Sequence, residues 1–117
     1  MRLAILALAL VPVAAASDPA VVKDVAFREA SGGWTFDVTI AHGDTGWDDY
    51  ADGWRVVTTD GTVLGTRVLA HPHVEEQPFT RSLSGINIPV GLDKVFIEAS
   101  TNVEGWDSER FPVLLTQ

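Results

Sequence analysis

The clearest pattern in the chain is a strict alternation of apolar and polar residues between positions 34 and 42. Trp34, Phe36, Val38, Ile40 and His42 share one face of an extended backbone, while two threonines and an aspartate lie on the other. A period of two residues is typical of a β-strand that buries one face. The segment therefore predicts a half-buried strand that ends at His42.

Six further segments have strand character, and turn residues separate them at intervals of roughly 8–12 residues. They are Val21 to Ala30, Trp54 to Thr59, Thr62 to Leu64, Phe79 to Ile88, Leu92 to Thr101 and Phe111 to Leu115. No segment shows a convincing helical period. The pattern predicts one all-β domain, an antiparallel β-sandwich of about seven strands with immunoglobulin- or fibronectin-like architecture. A small closed β-barrel is the alternative. Asp60-Gly61 predicts a tight type I′ hairpin turn.

The N-terminus has the pattern of an export signal. Arg2 precedes a nearly unbroken apolar run from Leu3 to Val11, and Ala14-Ala15-Ala16 supplies an A-x-A cleavage site. The run is shorter than the roughly 20 residues of a membrane span. We expect residues 1–16 to be a cleaved signal peptide and residues 17–117 to form the mature domain, periplasmic or secreted and without a membrane span.

Composition excludes several classes of function. The 117 residues include no cysteine, which excludes a disulfide scaffold, a Cys-ligated metal, a thiol nucleophile and a lipid-anchor cysteine. Eight Lys and Arg against 16 Asp and Glu give a formal charge of −8. This charge argues against nucleic acid and anionic membrane as partners.

The three histidines predict a metal site. His71 and His73 flank Pro72, so an extended backbone places both imidazoles on one side. Neutral imidazole is a common ligand of zinc and copper(II). We expect His42 as the third ligand, with Asp44 or Glu76 as an oxygen ligand or as a partner that orients an imidazole. In the alternative interpretation, all three histidines are ordinary hydrogen-bonded or solvated residues.

The acidic stretch from Gly43 to Gly53 offers a second kind of site. Its aspartates do not match the spacing of a calcium loop, so a solvated acidic loop is the simpler interpretation. Exposed aromatic rings beside carboxylates could instead stack on a ligand such as a sugar. The residues of this candidate ligand-binding site are Trp47, Tyr50, Trp106, Asp48 and Asp52.

Three functional hypotheses follow. The first is an exported periplasmic protein that binds copper or zinc through histidines. The second is a non-enzymatic adhesion or ligand-binding module that uses the loop aromatics, and the third an accessory subunit whose acidic loop docks on an unknown envelope protein. No nucleophile elbow, His-Glu-x-x-His motif or phosphate loop occurs, so the sequence offers no support for an enzyme.

Three stretches together have the character of a family signature. They are His42-Gly43-Asp44-Thr45-Gly46-Trp47, Tyr50-Ala51-Asp52-Gly53-Trp54, and His71-Pro72-His73 followed by Glu76-Gln77-Pro78-Phe79-Thr80-Arg81. The pattern, within residues 34–88, resembles that of small uncharacterised exported bacterial proteins. The resemblance implies a bacterial periplasmic setting and carries no activity with it.

Overall fold

The structure is a computed structural model, and it describes residues 18–115. The signal peptide predicted at residues 1–16 lies outside the described residues. The strands of the described part are β1 (Val21–Ala30), β2 (Gly33–Ala41), β3 (Ala51–Val57), β4 (Val63–Val68), β5 (Phe79–Ile86), β6 (Lys94–Thr101), β7 (Gly105–Trp106) and β8 (Phe111–Leu114). None of the described residues belongs to a helix that is long and apolar enough to cross a membrane.

The strands form two antiparallel sheets that face each other. One sheet has the order β1-β2-β5, and the other has the order β4-β3-β6 with both β7 and β8 paired to β6. Neither sheet closes on itself within residues 18–115, so the β-sandwich prediction is confirmed and the barrel alternative is not what forms. The seven predicted strands are present, and the two-residue strand β7 is the addition.

The core lies between the inward faces of β2, β3 and β6. The alternation predicted for β2 is confirmed, because Phe36, Val38 and Ile40 are almost completely buried. Trp54 packs into the same core cluster from β3, as do the alternate residues Val95, Ile97 and Ala99 of β6. Because neighbours on a strand point to opposite faces, Phe96 and Glu98 must lie on the outer face of the larger sheet.

The predicted type I′ turn at Asp60-Gly61 is wrong. Such a turn needs positive φ at both central residues, but only Gly61 has it, at 90°. The Gly61 amide donates to the Thr58 carbonyl, and the Thr58 amide donates to the Thr62 carbonyl. This is a three-residue loop with glycine in the left-handed position, and its geometry is fixed by Asp60 accepting hydrogen bonds from Thr62.

The acidic stretch and the segment that carries His71 and His73 lie at the same end of the sandwich. One joins the end of β2 to the start of β3, and the other joins the end of β4 to the start of β5. The end of β6 is there too, since Thr101 is the register partner of Ala51. Residues from distant parts of the chain therefore meet at this end.

Candidate functional site

Asp44 is the centre of the polar contacts at this end. Its side chain is fully buried. One carboxylate oxygen accepts from the ring of His42 at 2.6 Å and from the Ala51 amide at 3.0 Å, and the other accepts from the His73 amide at 2.8 Å. Hydrogen bonds to a carboxylate are stronger than those between neutral groups, and here they act away from water. Asp44 thus joins the end of β2, the start of β3 and the segment before β5.

His42 is held on both sides of its ring. Its Nδ1 contacts Asp44, and its Nε2 lies 2.9 Å from the backbone oxygen of Asp18 and 3.5 Å from Oδ1 of Asp49. Its backbone amide donates to the side chain of Gln77. Both ring nitrogens therefore face oxygens of the protein itself and the side chain is almost completely buried, so neither nitrogen is open to a ligand.

His73 is buried close to this pair but faces a cation. Arg81 donates to its Nε2 at 2.9 Å and also pairs with Glu76 at 3.0 Å. The imidazole stacks on Phe79 with ring centroids 4.0 Å apart. Burial lowers the pKa of His73 below its ordinary value, and the positive charge of Arg81 lowers it further. His73 is consequently held as a neutral, packed ring.

The structure brings all three predicted histidines to one end, but in an arrangement that does not fit a transition metal. His42 has both nitrogens committed, and the accepting nitrogen of His73 is taken by a guanidinium that would repel a cation. His71 is exposed and lies 4.6 Å from His73 between ring centroids. Within residues 18–115, no group of three or more His, Asp or Glu side chains is placed to hold a metal ion.

The aromatic residues of the same loop form a different arrangement. Trp47 is 65% exposed, and its ring packs edge-on against Tyr50 with centroids 5.5 Å apart. The side-chain amide of Asn102 donates to the Trp47 carbonyl and accepts from the Tyr50 amide. Asn102 and Asp44 therefore fix this loop from two sides, and an aromatic pair of exposed Trp47 and half-buried Tyr50 stands on it. We call Trp47 and Tyr50 the aromatic platform.

The remaining predicted ligand-binding residues lie in three places. Asp48 is exposed beside Trp47 in the loop. Asp52 lies at the start of β3 and accepts a hydrogen bond from Ser100 of β6. Trp106 lies on the outer face of the larger sheet, where the guanidinium of Arg55 covers its ring at 4.0 Å. The structure thus places Trp106 with a strand arginine and not in the aromatic platform.

Sequence reasoning missed three charged residues on that outer face. Arg55 and Arg110 each donate through Nε to Glu98, both at 2.8 Å. The alternation in β6 was the available signal, because its core residues Val95, Ile97 and Ala99 alternate with Lys94, Phe96 and Glu98. The arginines could not be assigned to Glu98 from sequence, since they are 43 and 12 residues away from it.

Comparison with known proteins gives one informative match. No family model matches the sequence, and no solved structure does either. A curated protein of Halomicrobium mukohataei named "Putative lipoprotein" is 39% identical over 93 residues. The match covers 79% of this chain but 45% of the relative, so the chain spans less than half of the relative's length. The lipoprotein name agrees with export to the cell envelope.

Proposed function

We propose that this chain is a non-enzymatic ligand-binding module of an exported, periplasmic protein, and that the aromatic platform is its contact surface. The observation that carries the proposal is the exposure of Trp47 on a loop held by hydrogen bonds. An apolar ring left in water costs free energy unless a partner covers it, and a fixed loop loses little entropy when it binds.

The surroundings of the platform favour a neutral glycan. The flat faces of Trp and Tyr suit the apolar face of a sugar ring. Carboxylates only accept hydrogen bonds, and sugar hydroxyls donate them, so Asp48 beside Trp47 complements a hydroxylated ligand. An anionic ligand would be repelled by the same carboxylate.

A glycan screen followed by calorimetric titration tests the proposal. We expect a neutral oligosaccharide to bind, to change tryptophan fluorescence, and to bind equally well in the presence of a chelator. Trp47→Ala should abolish this binding, because it removes the stacking ring. Trp106→Ala is the matched control, since the same substitution on the outer sheet face leaves the platform intact.

Three results would count against the module. Binding that Trp106→Ala removes and Trp47→Ala does not would place the ligand elsewhere. Binding of a basic protein fragment by the loop, with no glycan bound, would support the accessory-subunit hypothesis instead. Binding that a chelator abolishes and that both His71→Ala and His73→Ala remove would support the metal-site hypothesis instead.

A further inference from the structure

The outer face of the larger sheet carries a row of charged and aromatic side chains. Its members are Trp106, Arg55, Glu98, Arg110, Phe96 and Lys94, which we call the cation–aromatic strip. Strand register places its strand residues on one face, because Arg55 is opposite Glu98 and Trp106 is opposite Ser100. Arg110 precedes β8 and reaches this face through its contacts with Glu98 and Phe96. Six residues of β6 separate its two ends, which is about 20 Å in a strand.

Cations and rings contact each other along the strip. Arg55 lies 4.0 Å from the Trp106 ring centroid, and both Lys94 and Arg110 lie over Phe96, at 5.1 Å and 5.4 Å. Such contacts hold cationic side chains flat on an aromatic face. Trp106 is still 39% exposed, so part of its ring remains accessible.

Glu98 orders the strip without neutralising it. Its carboxylate is nearly buried and accepts from Arg55 and Arg110 through one oxygen each. Burial raises the pKa of Glu98, but the two guanidinium hydrogen bonds outweigh burial and hold the pKa below its ordinary value. Glu98 contacts two guanidinium groups and Lys94 adds a third cation, so the residues of the strip themselves carry three positive charges and one negative charge.

We infer that the cation–aromatic strip binds a carboxylated glycan, a polymer in which sugar rings carry acidic groups. Guanidinium groups recognise carboxylates by charge and by paired donors, and aromatic faces stack on sugar rings. The strip offers both kinds of contact, with cationic groups between and beside its two aromatic rings. Nucleic acid carries a far denser row of charge and is a poorer fit to a protein with this net charge.

This site lies apart from the aromatic platform and takes an acidic ligand, whereas the platform takes a neutral one. The platform stands beside Asp48 on the β2–β3 loop, whereas the strip lies on the outer face of β3 and β6 with its neighbours. The inference therefore does not depend on the proposed function.

Titration with an oligogalacturonate tests the strip, and the fully methyl-esterified form of the same oligomer is the matched ligand. We expect the acidic oligomer to bind with a change in tryptophan fluorescence, and the ester to bind at least about tenfold more weakly, since it lacks the charge. Raising the salt concentration should weaken binding of the acid, because exposed charges are screened.

Two variants locate the site. Arg55→Gln and Lys94→Gln should each weaken binding of the acid by about tenfold. Lys94 forms no ion pair among the described residues, so Lys94→Gln tests the strip even if Arg55→Gln lowers stability. Arg28→Gln is the matched control, because this arginine pairs with Asp37 on the other sheet. Trp47→Ala should leave binding of the acid unchanged.

Equal binding of acid and ester would overturn the inference. So would equal losses in Arg55→Gln and Arg28→Gln, or loss of binding in Trp47→Ala. A salt-sensitive dimer in sedimentation, without any binding of oligogalacturonate, would assign the strip to the acidic loop of a second copy instead.

Discussion

Asp44 is the residue on which the loops of the functional end most depend. Asparagine has nearly the same shape, but its side chain has one accepting oxygen and one donating NH2 group in place of two accepting oxygens. The NH2 group would face a backbone amide that is itself a donor, so one hydrogen bond would be lost. We expect Asp44→Asn to lower the free energy of unfolding by about 3 kcal/mol, which is typical when one partner of a buried charged interaction is removed. Urea unfolding measures the difference.

The control is Asp48→Asn, which makes the same chemical change at an exposed position of the same loop. A surface substitution of this kind should alter stability by less than about 0.5 kcal/mol. Equal stability of Asp44→Asn and the parent protein would contradict the central role given to Asp44.

The lowered pKa of His73 should make the stability of the protein depend on pH. Because burial and the charge of Arg81 lower its pKa in the folded state, the unfolded chain takes up a proton first as the pH falls. Stability then declines as the pH drops below about 6.5, and the decline ends once the folded state is also protonated. Melting temperatures between pH 8 and 5 should show this step in the parent protein.

Removing the titrating ring should remove the step. His73→Gln has no group that titrates there, so its melting temperature should change less over the same range. His71→Gln makes the same substitution at the exposed histidine and should retain the step. If both variants behave like the parent protein, the pH dependence comes from another residue.

Among the elements, β1, β2 and β5 meet at a close approach that needs glycine. Gly33 has φ of 117°, and a Cβ there would lie 3.0 Å from the backbone of both Gly85 and Ile86. We expect Gly33→Ala to lower the free energy of unfolding by about 1–3 kcal/mol, because the strained φ and the backbone contact act together. Gly43→Ala is the control, since open space surrounds that position, and urea midpoints compare the two. Equal urea midpoints for the two variants would mean that the β1–β2 hairpin accommodates the added Cβ without loss of stability.

The elements also show why strands were predictable and the site was not. The alternation in β2 is local, so it could be read directly from the sequence, and the same holds for the buried positions of β6. The hydrogen bond from the His73 amide to Asp44 joins residues 29 positions apart, and no local pattern encodes it. The three histidines lie at one end of the sandwich, with the rings of His71 and His73 4.6 Å apart between centroids. Their hydrogen-bond partners, which decide their chemistry, depend on how three loops pack.

At the scale of the whole molecule, the carboxylates that are hydrogen-bonded in the fold should determine its acid stability. The hydrogen bond from Ser82 lowers the pKa of Asp37, and hydrogen bonds from Thr58 and Thr62 lower that of Asp60. The pKa of Glu98 is also lowered, by hydrogen bonds from its two arginines that outweigh the effect of burial. A lowered pKa means that the folded state resists protonation, so the stability it contributes is present above about pH 4.5 and is lost as the pH falls.

Calorimetry between pH 7 and 3 should therefore show a steep fall in melting temperature that begins near pH 4.5. High and constant ionic strength is needed, because protonation also relieves repulsion in a chain with a formal charge of −8, and that effect has the opposite sign. Glu98→Gln should flatten the fall, since glutamine is neutral throughout, while Glu75→Gln at an exposed position should not. A melting temperature that rises on acidification would show that repulsion between the acidic residues outweighs the ion pairs.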